Sequence, residues 1–290
     1  MAKAEKGVTR REVRSVSARG DGLPPRTDEV VVEEPLEIRV AGEPLAITMR
    51  TPGADSDLAL GFLFAEGIIA SAADVGTVAH CGRPGEEGWG NVIDVSPGPG
   101  VVLDPGRLES SRRGTLTTAA CGVCGRRSID DLLSRLGPVS PGPTLDLRVV
   151  ASSTERLRAE QPTFERTGGI HAAALMGADG ALLAVAEDVG RHNAVDKVVG
   201  QRLRAARPGA DGPGAGAALL IVSGRVSFEI VQKAAAARVP MIAAVSAPTS
   251  LAIDLSLELG ITLAGFVRDG RLNVYTHPTR ISGVVHRSDG

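Results

Sequence analysis

The sequence predicts an α/β protein with a smaller α+β unit at its N-terminus, and three observations carry that expectation. Between residues 217 and 266, short runs of small apolar residues alternate with amphipathic stretches, the pattern of a mostly parallel sheet sandwiched by helices. Just upstream, the apolar runs 170–176 and 181–186 flank Ala178-Asp179-Gly180, which reads as a hairpin. Before residue 110 the texture differs: short extended runs and one helix are interrupted by a Gly- and Pro-dense stretch at 81–107.

Taken in order, residues 1–28 are charged and punctuated by Gly and Pro, with only Glu12 to Val16 alternating like a strand, so a largely disordered tail is expected. A small α+β domain is expected over 29–110. Its extended runs, 30–40 and 45–49, meet at the turn-like Ala41-Gly42-Glu43-Pro44. A helix follows, with Asp55 as N-cap, the stripe Leu58, Phe62, Leu63 and Ala65, and Gly67 as terminator. Asn91 to Val95 adds a strand. The larger domain, 111–285, begins with a Cys-x-x-Cys loop and a helix opened by the capping box Ser128 to Asp131. A second capping box, Ser152 to Glu155, opens a short helix ending near Pro162. After the 170–186 hairpin come a helix carrying Val195, Val198, Val199 and Leu203, a loop at 207–214, strand 217–222, helix 227–237, strand 241–245, helix 250–259 and strands 261–266 and 271–276.

Composition narrows the function. The 290 residues hold 32 Lys and Arg against 34 Asp and Glu, a net charge of −2, so no basic field draws the chain to nucleic acid or anionic membrane. Five Phe, one Trp and one Tyr are too few for a base-stacking module. No apolar run approaches a membrane-spanning length, and the start lacks a signal-peptide core. Three cysteines make no disulfide framework and point to a reducing, cytoplasmic setting.

Cys121-Gly122-Val123-Cys124-Gly125 is the sharpest motif. A two-residue spacer lets two sulfurs approach, which suits dithiol exchange, half of a zinc site, or a persulfide carrier with a resolving thiol; two structural cysteines are the plainer alternative. Arg112, Arg113, Arg126 and Arg127 flank the motif and favour thiolate. Zinc would need further ligands, and only Cys81 and five histidines remain. A thioredoxin-like pair would follow a strand that is missing here. Sulfur transfer survives this comparison best, and no metal is expected. Cys81, beside His80, reads as a packing residue.

Two further constellations stand out. Glu187 to Lys197, with Asp188, Arg191, His192 and Asn193, places polar groups where a strand end meets a helix start, a place where α/β sheets bind ligands. His171, at the start of an apolar strand, reads as a hydrogen-bonded core residue. Zinc deaminases need His-x-Glu upstream of Pro-Cys-x-x-Cys; here Ala173 replaces the Glu and the Cys pair lies upstream, which excludes deaminase chemistry while leaving the element order compatible with that fold.

Taken together, CGVCG, TGGIHAAAL, EDVGRHNAVDKVVG, SGRVSFEIVQKAAAARVP, AVSAPTSLAIDLSLELG and GFVRDGRLNVYTHP, with TPGADSDLALGFLFAEGII nearer the start, resemble the FdhD/NarQ family of formate dehydrogenase accessory sulfurtransferases, over about residues 30–281. The resemblance implies a cytidine-deaminase-like three-layer α/β domain, a homodimer, and a protein that takes persulfide sulfur from a cysteine desulfurase. The sulfur goes to a molybdenum or tungsten bis(molybdopterin guanine dinucleotide) before that cofactor enters formate dehydrogenase. It further implies Cys121 as the persulfide carrier, Cys124 as its partner, and Phe266, Val267, Arg268, Asp269, Gly270 and Arg271 as the cofactor-binding segment. The Arg191-His192-Asn193 turn is a candidate second wall. A chaperone that only holds the cofactor is the competing reading, and a redox- or zinc-regulated binding module a third.

Overall fold

The computed structural model describes residues 7–20, 22, 24–82, 89–104, 106–108, 136–205 and 212–283. The Cys121/Cys124 motif, the helix expected after Ser128 and most of the 207–214 loop lie outside the described residues.

A six-stranded sheet is the centre of the molecule, in the order β13-β12-β11-β10-β8-β9. Its strands are β8 (His171–Gly177), β9 (Leu182–Asp188), β10 (Ala217–Val222), β11 (Met241–Ala244), β12 (Thr262–Arg268) and β13 (Arg271–Thr276). Only β10–β11 and β11–β12 pair in parallel. The expectation of a mostly parallel sheet is therefore corrected to a mixed one: the crossovers through α6 (Phe228–Ala236) and α7 (Ser250–Glu258) make the parallel core, and antiparallel strands are added at both sides.

Side chains on successive strand residues point to opposite faces, and here both faces are buried. Ala172, Ala174, Met176, Leu219, Ile221, Met241 and Ala243 pack on Leu145, Val150 and Leu157, which lie in or beside β7 (Leu145–Asp146), α2 (Leu147–Ala151) and α3 (Ser153–Ala159). Their neighbours Ala173, Leu175, Leu220, Val222, Ile242 and Ala244 face the other way, onto α5 (Arg191–Ala205), α6 and α7. Two buried faces explain why these strands read as unbroken apolar runs.

The second core continues into the N-terminal unit, through α1 (Asp55–Ala65) to the sheet of β4 (Glu43–Arg50), β3 (Glu34–Val40), β6 (Val92–Pro97) and β5 (Val75–His80). The turn between β3 and β4 uses left-handed Ala41 and Gly42. Near the start, β1 (Val8–Val13) pairs with β2 (Arg26–Val31) in the register Val8↔Val31 to Val13↔Arg26. Residues 8–13 therefore form a strand rather than tail, earlier than the 12–16 alternation suggested, with Val8 as its buried anchor. Two caps also differ. Ala54 occupies the N-cap of α1 with φ 54°, because the Asp55 carboxylate is taken by Arg50. Ser152 makes no cap bond, and Asp146 caps α2 through the Arg148 N–H instead. Gly67, with φ 70°, follows the end of α1 as expected.

Candidate functional site

Strand β12 ends in an irregularity. Its register with β13 shifts between Gly265 and Arg268, and Phe266 and Asp269 adopt φ of 53° and 52°, a conformation that bulky residues rarely take. Gly265 allows close packing at this bend, since a Cβ there would lie 3.0–3.1 Å from Pro248, Ser246 and Tyr275. The bend points Val267 into the core, where it is fully buried and its carbonyl accepts from Thr154 Oγ1 of α3 at 2.8 Å. Arg268 and Asp269 are left exposed. Backbone strain of this kind is held where the surroundings fix it and collects at functional sites.

Val267, Arg268 and Asp269 form one wall of a cavity of about 560 Å³, within the usual range of roughly 300–1,000 Å³ for small-molecule sites. Ser223, Val245 and Val267 on its lining stand at the carboxyl ends of the parallel strands β10, β11 and β12, where open α/β sheets bind ligands. The opposite wall comes from α3 and α4 (Pro162–Thr167), with Leu157, Arg158, Gln161 and Phe164. Phe266, Arg271, Leu272 and Asn273 face a second groove, which shares Arg268 and Asp269. The segment 266–271 thus divides two recesses.

His171 lines the cavity, with its Nδ1 3.3 Å from Ser223 Oγ, while that Oγ accepts from the Ala172 N–H at 2.9 Å. Burial, and then the Arg191 charge, pull the His171 imidazole below its ordinary range, so it is neutral at pH 7. It is both hydrogen-bonded, as the sequence suggested, and cavity-facing.

The Glu187–Lys197 constellation belongs mainly to the scaffold. Asp188 is fully buried, pairs with Lys197 Nζ at 2.7 Å, and accepts from Thr51 N, Gly190 N and Asn193 Nδ2. Asn193 Nδ2 also donates to the Met49 carbonyl at 2.7 Å, and Lys197 Nζ to that of Thr51. These bonds tie α5 to β4. Glu187 accepts from the Thr163 and Phe164 N–H groups and so caps α4. His192 Nε2 lies 2.9 Å from Ser227 Oγ. Of this region Val189 lines the cavity, whereas Arg191, His192 and Asn193 are not among its lining residues. Gln161 and Phe164 were missed because Pro162 reads as a stop after a helix, whereas here it is the first residue of the next one.

Cys81 is half-buried and unbridged. His80 Nε2 lies 3.5 Å from Asp55 Oδ2, and among the described residues no three His, Cys, Asp or Glu side chains come together as metal ligands. Among the described residues no helix is long and apolar enough to cross a membrane.

The model of the FdhD/NarQ family matches residues 31–282. The chain belongs to the FdhD/NarQ family. It is similar to proteins named sulfur carrier protein FdhD, at 63% identity over 255 residues in Anaeromyxobacter dehalogenans strain 2CP-C, covering 88% of each chain. In Mycobacterium bovis the identity is 47% over 279 residues, covering 94% of this chain and 98% of the relative. A crystal structure assigned as a formate dehydrogenase accessory protein from Desulfotalea psychrophila superposes with a TM-score of 0.71 at 23% identity, covering 95% of this chain and 99% of that one; it shows the shared mixed α/β fold.

Proposed function

We propose that this chain is a cytoplasmic, homodimeric sulfur carrier that matures formate dehydrogenase. Cys121 thiolate takes the sulfane sulfur from the persulfide of a cysteine desulfurase, whose own cysteine leaves as thiolate. The sulfur then passes to a molybdenum or tungsten bis(molybdopterin guanine dinucleotide), the substrate, before that cofactor enters the apoenzyme. Cys124 attacks Cys121 at the inner sulfur, so that sulfide leaves and a Cys121–Cys124 disulfide forms; the two electrons gained by the sulfane sulfur come from the two cysteines.

The observation that carries this reading is the strained Phe266–Asp269 bend walling a cavity at the carboxyl edge of the sheet. Its exposed Arg268, with Arg271 across the Gly turn, suits a polyanionic dinucleotide. The names of the relatives supply the sulfur-carrying half of the reading. Activation of formate dehydrogenase by the wild-type chain and by a Cys121→Ala variant tests it: an inactive variant that still binds cofactor supports sulfur carriage, and full activation by that variant makes the chain a cofactor-holding chaperone.

A further inference from the structure

We propose that Ser227, His192 and Glu229 form a nucleophilic centre that hydrolyses small carboxylic esters bearing an anionic group. None of the three lines the 560 Å³ cavity or the groove beside it, and sulfur carriage uses none of them. Ser227 Oγ lies 2.9 Å from His192 Nε2, and His192 Nδ1 lies 3.4 Å from Glu229 Oε2. A hydroxyl, an imidazole and a carboxylate in that order are the arrangement by which a serine is activated for acyl transfer.

The local structure turns each group to this task. Ser227 stands between β10 and α6, in the kind of strand-to-helix turn that presents a nucleophilic serine in many hydrolases. It is the N-cap of α6, yet its side chain makes no cap bond; the hydroxyl meets the imidazole instead. His192 is 5% exposed, so packing fixes its ring. The Glu229 carboxylate on the Nδ1 side favours the tautomer whose Nε2 accepts from the Ser227 hydroxyl. Ser227 itself is half-buried, within reach of a small substrate. Phe228 opens α6, so its N–H has no carbonyl partner within the helix and can receive the developing oxyanion.

Arg191 supplies the preference for an anionic substrate. Its side chain lies across the same turn, with Cδ 3.4 Å from the place a Gly224 Cβ would take, and its Nε is buried without a partner. The charges of Arg225 and Glu229 both act on its guanidinium, which sets exposed Arg225 at the same edge. In the reaction, Ser227 Oγ attacks the ester carbonyl carbon and its proton passes to His192 Nε2. The C–O bond to the alcohol breaks, and the alcohol leaves with that proton. Water then attacks the acyl-serine, giving a proton to His192 and from there to Ser227 as the acid departs. No oxidant or reductant is consumed.

Two assays on the full chain test this: treatment with a fluorophosphonate followed by peptide mass spectrometry, and hydrolysis of p-nitrophenyl hemisuccinate against p-nitrophenyl acetate. We expect the fluorophosphonate on the Ser227 peptide, absent from Ser227→Ala and slowed about 10²-fold to 10⁴-fold in His192→Gln, the range of general-base catalysis. The hemisuccinate should show about 10-fold higher kcat/KM than the acetate, the size of one charge-assisted hydrogen bond. Glu229 acts through the imidazole as a positioning residue, so Glu229→Gln should lower kcat with KM unchanged. An unlabelled Ser227 in the folded wild-type chain, or wild-type labelling of His192→Gln, overturns the centre. Equal kcat/KM for the two esters overturns its anionic preference.

Discussion

Gly61 of α1 lies directly against the main chain of Asp196 in α5: a Cβ at residue 61 would stand 1.9 Å from the Asp196 carbonyl oxygen. The relation is reciprocal one turn away, where a Cβ on Gly200 would stand 1.9 Å from the Asp57 carbonyl. Two glycines therefore set the closest approach between the N-terminal unit and the α/β layers. Alanine favours a helix over glycine by about 1 kcal/mol, but overpacking costs about 1–3 kcal/mol and contacts of 1.9 Å to backbone lie at the severe end, so the steric effect wins. Gly61→Ala and Gly200→Ala should each lower the urea midpoint, with little change when the same substitution is made at exposed Gly22.

Asp196 of α5 also forms a buried charge pair with Lys233 of α6. Lys233 Nζ is 2.6 Å from Asp196 Oδ1, yet burial pushes the Asp196 carboxyl up to about 7 against that attraction. Folding thus raises its proton affinity above the ordinary value of 3.8. The folded state holds a proton that the unfolded chain releases, so this contribution to stability is full below pH 4 and is lost as pH rises to about 7. Comparing denaturant midpoints at pH 5 and pH 7.5, the Asp196→Asn variant should show a smaller fall with pH than the wild type; an unchanged difference contradicts the assignment.

How much of this was legible in sequence depends on where the information resides. Strands 217–222 and 271–276 fall where local pattern placed them, because burial on both faces or a clear turn leaves a strong local signature. Strand β5 at Val75–His80 was not seen, since it is an edge strand with few buried positions and pairs with β6 across the Gly/Pro-dense stretch. The direction of strand pairing is a tertiary property that alternation cannot encode. At the site, the resemblance singled out the 266–271 segment, whereas the scaffold role of Asp188 and Asn193 depends on partners Met49 and Thr51, more than 130 residues away in sequence. Gln161 carries no local signal at all: an amide before a proline is notable only once its buried nitrogen is found unpaired.

Arg50 anchors the N-terminal unit. It is 1% exposed and contacts Asp55 at 2.9 Å, Glu34 at 3.3 Å and the Gly90 carbonyl at 2.9 Å. Arg50→Met leaves Asp55 buried without its cation and should destabilise by about 3–5 kcal/mol. The exposed Arg26–Asp28 pair is the control, and Arg26→Ala should change stability by less than about 0.5 kcal/mol. Equal effects in thermal unfolding would contradict this ranking.

Arg268 and Arg271 precede and follow the turn at Asp269-Gly270. Replacing both by Ala removes the guanidiniums facing the groove beside that turn while leaving Val267 anchored to Thr154. GDP affinity should fall about 10-fold to 100-fold, since charge-assisted bonds contribute about 1.5–3 kcal/mol each but these are exposed and screened. Weakening by added salt in the wild type, and less in the double variant, would identify the interaction as ionic.

Sulfur carriage by Cys121 is read out by intact-protein and peptide mass spectrometry after incubation with a cysteine desulfurase and cysteine. One added sulfur is expected on the peptide containing Cys121, retained in Cys124→Ala and absent from Cys121→Ala. No added sulfur on the wild-type Cys121 peptide, or equal loading of the Cys121→Ala variant, would contradict it.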